Sequence, residues 1–449
     1  MVSGEYSLEI VAHPKATGQF TISEKENASD GEHEVEGRSR KIRNLIAFWL
    51  FGLCNNFAYV IMLSAAHDIL SEETNTSPSN STNSSSHSDL SGVEVSNLTG
   101  ANQTATFLKC NQIGTGAILL ADILPTLVVK LSAPLYITRI PYRLKVSVVV
   151  FFALGSFLIV AFAEVVWLSI VGVVCASIGA GLGEPTFLGL STFFHRDVVS
   201  TWSSGTGGAG VFGALSYAGI TSAGVSPRNT LLIMTVIPVL LALSFLFLLS
   251  PPVGGYHANS KDGKGVAESD PDFRPFLTWR EKVRLTQPLL KFMIPLMVVY
   301  LAEYFINQGL HELLYFKDIW LTTKEQYRWF QVDYQLGVFI SRSSVNLLKV
   351  NKLWIIPILQ VMNVAILQTQ VMFRYIPSIW IIFGVILFEG LLGGCAYVNT
   401  FYKMSEDIAP EYREYSLSVA SVADSCGIAI AGTIAIPVHN TLCKLHIAL

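Results

Sequence analysis

Charge is what this chain has least of. Only 14% of its 449 residues are Asp, Glu, Lys or Arg, where an ordinary soluble domain carries about 25%. The shortage excludes a conventional water-soluble fold, whose surface is built from those side chains. Neither sign dominates, with 30 basic and 33 acidic residues. No basic tract interleaved with aromatics occurs, so nucleic acid is not an expected partner. Cysteine is sparse too. Cys54, Cys110, Cys175, Cys395, Cys426 and Cys443 are scattered, with no Cys-x-x-Cys and no Cys/His cluster. No metal site and no cofactor is therefore expected, and most of the thiols read as inert. No nucleophile–base pair points to an enzyme. A cleavable signal peptide is also missing. Residues 1–44 are polar and read as a disordered cytosolic tail, and the apolar run after them reads as an uncleaved signal anchor.

What the chain has in excess is hydrocarbon. Its residues are 51% hydrophobic, its mean hydropathy is +0.47, and its apolar runs are about 20 residues long, the length that crosses a bilayer as a helix. They predict spans near 45–68, 113–137, 144–163, 166–190, 202–224 and 229–250, then 286–314, 328–348, 353–373, 378–402 and 412–436. The expected fold is an all-α polytopic membrane protein of about eleven helices. A six-helix N-terminal half (45–250) and a five-helix C-terminal half (286–449) flank a hydrophilic linker, 251–285. Arg38, Arg40, Lys41 and Arg43 precede the first span. Arg143, Lys145, Arg196, Arg342, Lys349, Lys352, Lys403 and Arg413 fall at the same predicted side. Basic residues stay cytosolic, which puts the N-terminus and the linker in the cytosol. The opposite side receives a Ser/Thr/Asn-rich loop, 71–112, with candidate glycosylation sites at Asn75, Asn80, Asn83, Asn97 and Asn102. Ala66-His67-Asp68-Ile69-Leu70 is echoed by Leu310-His311-Glu312-Leu313-Leu314, and Ser191-Thr192-Phe193-Phe194-His195 by Asn399-Thr400-Phe401-Tyr402-Lys403. The echoes fall at equivalent places in a six-plus-five layout, as in two parallel repeats.

Some polar residues interrupt the hydrocarbon. Val298 to Glu312 begins as a lipid-compatible helix and then places Glu303, Asn307 and His311 at i, i+4 and i+8 on one face, with Gln308 beside them. An intramembrane carboxylate costs about 2.5–3.5 kcal/mol on insertion scales, so this stripe needs a wet cavity or polar partners. Asp122, Thr126 and Lys130 form a second stripe. Lys130 is half of an internal ion pair, a snorkelling anchor, or a cation facing a cavity. Glu184 stands between Gly179–Gly183 and Pro185. The glycine-rich run Trp202–Gly210 lacks the strand and the Lys-Ser/Thr of a phosphate loop. It suits tight helix crossing, or local unwinding at a substrate site. Arg342 offers a planar fork that suits carboxylate or phosphate, or serves as a positive-inside anchor. Glu389, Tyr397 and Asn399 lie on span ten and Asp424 on span eleven. Each acid is also open to a helix-packing role. In a two-half transporter, spans one, four, seven and ten line the central path. These spans carry Asn55 and Asn56, Glu184, Glu303 and Glu389.

Several runs closely resemble the battenin family. They are Phe48–Phe57, Leu63–Leu70, Leu120–Leu127, Trp202–Gly210, Glu303–Leu310, Ser341-Arg342-Ser343-Ser344 and Glu389–Gly394. The tails and the 71–109 loop do not carry the match. The resemblance implies a late endosomal and lysosomal membrane protein with a major-facilitator-like fold, remotely similar to equilibrative nucleoside transporters. It also implies a part in clearing glycerophosphodiesters such as glycerophosphoglycerol and glycerophosphoinositol, and in lysosomal pH and trafficking. The span-eight arginine of the nucleoside transporters corresponds loosely to Arg342, which lacks an Asp four residues before it. Cys443 is followed by six residues, so no prenylatable Cys-a-a-X is formed.

The expectation is a lysosomal exporter of a small anionic solute, a glycerophosphodiester, working in the bilayer by alternating access. Arg342 and Lys130 would meet the phosphate, and Asn55, Asn56, Asn307 and Gln308 the hydroxyls. Glu303, Glu389, Tyr397 and Asn399 are further substrate candidates. Candidates for proton coupling are Glu303, Glu184, Glu389, Asp424, His67 and His311. The alternatives are cationic amino acid transport with lysosomal pH regulation, and a non-transporting scaffold that docks trafficking proteins through the linker.

Overall fold

Backbone amides find no water in hydrocarbon, so each apolar run must close its own hydrogen bonds as a helix. The computed structural model describes residues 38–76, 115–137, 140–251, 278–317, 319–345 and 347–448. Asn80, Asn83, Asn97 and Asn102 lie outside these residues, as do most of the N-terminal tail and the linker; for Asn75 and His67 only the backbone is described. The first half contains α1 (Arg38–Thr76), α2 (Thr115–Tyr136), α3 (Tyr142–Ala161), α4 (Val166–Ser191) and α5 (Asp197–Ser222). It closes with α6 (Pro227–Met234) and α7 (Val236–Leu243), which run on through a π-helical turn, Ser244–Leu248, as one segment. The second half opens with α8 (Trp279–Phe305), prolonged by a π-helical turn, Ile306–Leu310, and a 3-10 turn, His311–Leu313. Then come α9 (Thr323–Arg342), α10 (Ile355–Phe373), α11 (Ile379–Asp407), and α12 (Pro410–Ala420) leading into α13 (Val422–Ala448). Among the described residues this makes six segments before the linker and five after it, with no strand. Seven are long and apolar enough to cross a membrane by length and composition.

Several helices start earlier than their apolar runs, for reasons written in polar residues. Thr278 and Glu281 form a capping box at the start of α8, and Thr322 and Glu325 form another at α9. In each, the Glu carboxylate accepts from the Thr backbone N–H at 2.7 Å. Such boxes satisfy amide donors that a helix start would otherwise leave orphaned. The basic start of α1 does the converse at a helix end. Arg40 and Arg43 each donate to a carbonyl at the close of the sixth segment, Pro251 and Phe247, at 2.9 Å. Asn44 Oδ1 accepts from Ser250 N–H at 2.8 Å. Cations suit a helix C-terminus, where carbonyls lack partners.

Helix packing repeats with an offset of six segments. α1 packs on α5 as α8 packs on α13; α2 packs on α4 as α9 packs on α11; α3 packs on α4 as α10 packs on α11. Between the halves, α2 lies against α13 and α5 against α9. Exchanging each segment for its counterpart six places on turns one of those cross-half contacts into the other. The bundle is therefore two parallel repeats about a pseudo-twofold axis. Glycine permits the closest crossings. A Cβ on Gly205 of α5 would strike the Trp49 carbonyl of α1, and one on Gly390 of α11 the Tyr334 carbonyl of α9. Small residues of this kind let membrane helices approach backbone to backbone. Of the two readings of Trp202–Gly210, tight crossing is the one observed, since α5 is unbroken through it.

Candidate functional site

The pseudo-twofold axis passes through a cavity where the two halves meet. Its wall takes residues from α1, α2, α4 and α5 of the first half and from α8, α9, α11 and α13 of the second. These are segments one, two, four and five and their counterparts seven, eight, ten and eleven. The cavity measures about 80 Å³. One buried water needs roughly 10–15 Å³ on that measure, so this conformation holds a few waters and no larger solute.

Two cations enter the cavity from equivalent helices, Lys130 from α2 and Arg342 from α9, but their partners differ. Lys130, 2% exposed, is 2.5 Å from Glu184 Oε2 and 2.9 Å from Asp424 Oδ1. Its ammonium is thus held by one carboxylate from its own half and one from the other. Glu184 accepts a further hydrogen bond from the Tyr397 hydroxyl at 2.6 Å, and Tyr397 accepts from Trp202 Nε1 at 3.2 Å. Asp122, one helical face along from Lys130, accepts from the Ser177 hydroxyl.

Arg342 has neutral partners. It donates to Thr206 Oγ1 at 2.5 Å across the halves and to the Tyr300 hydroxyl at 2.8 Å within its own. Its guanidinium lies 4.2 Å from the centre of the Tyr397 ring, a cation–π arrangement. Arg342 Nε has no protein partner. A guanidinium held by hydroxyls and a ring keeps its full charge available to an anion.

The Glu303 stripe lies apart from this cavity, inside the second half. Tyr334 of α9 donates to Glu303. Asn307 Nδ2 donates to the Glu303 carbonyl at 3.1 Å and to Glu389 Oε1 at 3.2 Å. His311 Nε2 is 3.4 Å from Glu389 Oε2, and its Nδ1 is 3.2 Å from Gln331 Nε2. Gln308 is partly exposed on the π-helical turn. The remaining candidates divide between cavity and packing. Asn56 lines the cavity, whereas buried Asn55 bonds the Ala180 carbonyl at 3.4 Å. Asn399 braces the segment after α9 by accepting from Val350 N–H at 2.8 Å. Tyr300, Tyr304 and Thr206 are on the wall although no charge drew attention to them. The signal for the tyrosines was available, since a buried tyrosine hydroxyl usually has a partner.

Polar ties between the halves gather at the end where α1 begins. Arg196 meets Glu406 at 3.2 Å, Ser204 meets Ser343 at 2.9 Å, Ser418 donates to the Pro185 carbonyl at 2.9 Å, and Tyr142 donates to Glu414.

Two helical halves around a charged central cavity define a membrane transporter-like protein of major-facilitator architecture. Solved structures agree on the fold. A human organic anion transporter, MFSD10 (TETRAN), superposes with a TM-score of 0.55 at 11% identity, over 91% of this chain and 98% of that one. A bacterial homologue of the iron transporter ferroportin, in its outward-facing state, gives 0.56 at 14% identity, over 91% and 96%. Sequence comparison is more specific. The chain matches the CLN3 protein family over residues 46–271 and 255–445. It is 46% identical to canine battenin over 413 residues, 90% of this chain and 92% of that protein, and 33% identical to Protein BTN1 of Yarrowia lipolytica over 89% and 95%. The chain belongs to the CLN3, or battenin, family.

Proposed function

We propose that the chain exports glycerophosphodiesters from the lysosome by alternating access, with its N-terminus and linker in the cytosol. The observation that carries this reading is Arg342, a cation in the cavity between the halves whose contacts are hydroxyls and a ring. A phosphodiester is a monoanion at lysosomal pH, and a guanidinium matches two of its oxygens at once. Thr206 and Tyr300 would exchange their bonds to Arg342 for bonds to the solute. Lys130 offers the solute no free ammonium, because two carboxylates already hold it. Because Arg342 bonds Thr206 of one half and Tyr300 of the other, a solute bound there touches both moving parts. The cavity must widen to admit it. The polar ties at the α1-start end support a conformation shut toward the cytosol.

Cationic amino acid transport finds less support, since Glu303 and Glu389 lie off the cavity and Glu184 and Asp424 are occupied by Lys130. The test is uptake of labelled glycerophosphoglycerol into proteoliposomes holding the purified full chain. Arg342→Ala is expected to lower uptake at least tenfold, about 1.4 kcal/mol or more, within the range of a hydrogen bond to a charged group. Arg342→Lys should recover only part of it, because a point charge replaces a fork. Undiminished uptake by a folded Arg342→Ala protein would remove the arginine from the path.

A further inference from the structure

The buried cluster on α8 has more acceptors than the protein supplies donors for. Glu303 is 2% exposed and Glu389 and His311 are 0% exposed. Glu303 Oε2, Asn307 Oδ1, Glu389 Oε2 and His311 Nε2 all lack a protein hydrogen-bond partner. No lysine or arginine is hydrogen-bonded or ion-paired to either carboxylate in the described contacts. An isolated ionised carboxylate is not stable in so dry a place; it takes up a counter-charge or a proton. His311 Nε2 and Glu389 Oε2 face each other at 3.4 Å. The Gln331 amide on Nδ1 leaves the single proton of the neutral imidazole on Nε2, directed at Glu389, so a further proton taken up there resides on a carboxyl.

Helix geometry reinforces the grouping. In a regular α-helix a residue eight positions on lies about 80° round the axis; a π-helical turn absorbs one residue and brings it within roughly 20°. The turn Ile306–Leu310 stands between Glu303 and His311, so the irregular backbone aligns the acid with the imidazole.

We propose that Glu303, Glu389 and His311 form a buried proton-binding site in the C-terminal half, separate from the solute cavity, whose proton moves together with the transported anion. The assignment rests on the anion-export reading for its partner ion, not for the existence of the site. The link to the cavity is short. Tyr300, which accepts from Arg342, is one helical turn before Glu303 on α8. Through that tie the guanidinium lies near the acid cluster and sets a positive field on it. An anion on Arg342 cancels that field, which favours a proton on the acid cluster, so solute and proton bind cooperatively in both directions. The other titratable groups facing the cluster are Asp333 and Tyr334 of α9 and Tyr304 of α8. His439 of α13 pairs with Glu312 at its far rim, 3.7 Å apart. α10 contributes the neutral amide of Gln360, which reaches the Glu389 carbonyl at 3.5 Å.

The test uses the full chain in proteoliposomes with labelled glycerophosphoglycerol and two assays. Exchange at equal pH needs no net proton movement, whereas uphill accumulation under a pH gradient does. With one proton per solute, each pH unit drives about tenfold accumulation. Glu389→Gln, which copies the protonated acid, is expected to keep exchange within about twofold while losing that tenfold accumulation, and Glu303→Gln should weaken it. Wild-type accumulation ratios in both variants, or accumulation driven by a sodium gradient instead, would overturn the proposal. Should the wild type fail to exchange the solute at all, the anion reading falls and the site is judged by infrared spectroscopy of the purified protein. The carboxylic acid carbonyl band is expected in the wild type and reduced in Glu389→Gln; an unchanged band would overturn the site itself.

Discussion

Lys130 shows what a single residue's surroundings decide. The stripe Asp122, Thr126, Lys130 is legible in the sequence, because helical spacing fixes which residues share a face. Its partner is not: Asp424 lies 294 positions away and reaches Lys130 only because α13 packs on α2. The structure settles Lys130 as a buried ion pair at the edge of the cavity rather than a snorkelling anchor. Burying the triad is no net gain in stability, but removing the lysine leaves two carboxylates, Glu184 and Asp424, without a counter-charge. Lys130→Met is therefore expected to destabilise the purified protein by about 3–5 kcal/mol. Neutralising the partners as well, with Glu184→Gln and Asp424→Asn, should recover most of the loss. The check is the unfolding midpoint in detergent. Equal destabilisation in the single and triple variants would mean that packing of the lysine stem, not charge, was lost.

At the scale of the element, the type of every long segment could be read from apolar length, while helix ends and azimuths could not. The ends are set by the Thr-x-x-Glu boxes of α8 and α9, which lie beyond the apolar runs. Azimuth is what separates Glu303 from the cavity. Periodicity shows that Glu303, Asn307 and His311 share a face; it does not show toward which neighbour that face turns, and the π-helical turn has no spacing signature. Glycine positions were more legible, and they yield a test. Gly390→Val places branched carbons against the Tyr334 carbonyl of α9, and overpacking of this kind costs about 1–3 kcal/mol. Gly384→Val on the same helix meets nothing within 4 Å. The first should lower the unfolding midpoint and the yield of monodisperse protein, and the second should leave both near wild type. Equal behaviour would show that α9 and α11 are not held backbone to backbone.

For the whole molecule, the offset-by-six packing sets the cavity between two equivalent halves, so that on the proposed alternating-access reading one end can close while the cavity stays central. Close helix crossings hold each half internally. On that reading the polar ties at the α1-start end would act as a latch, in addition to the cross-half contacts of Lys130, Tyr397 and Arg342 at the cavity. The repeat was faintly visible in two short sequence echoes. The latch was not, because Arg196, at the start of α5, and Glu406, in the last turn of α11, are 210 positions apart and each reads alone as a surface charge. Lys349 lies 3.6 Å from Glu406 and donates to the Tyr402 hydroxyl at 3.2 Å. That hydrogen bond, with the Glu406 charge beside it, holds its ammonium above the ordinary lysine range. Exposed pairs of this sort are individually worth about 1 kcal/mol or less, enough to shift an opening equilibrium about fivefold. Glu406→Arg would set a third cation beside Arg196 and Lys349 and push the ends apart. Labelling of Ser425→Cys in the cavity by an impermeant thiol reagent from that side, with the native cysteines replaced, should rise about fivefold. Arg196→Glu combined with Glu406→Arg restores opposite charges and should return labelling to its starting level. If the double variant stays as open as the single one, the helix ends are held by the serine and tyrosine contacts, and the ion pair is not the latch.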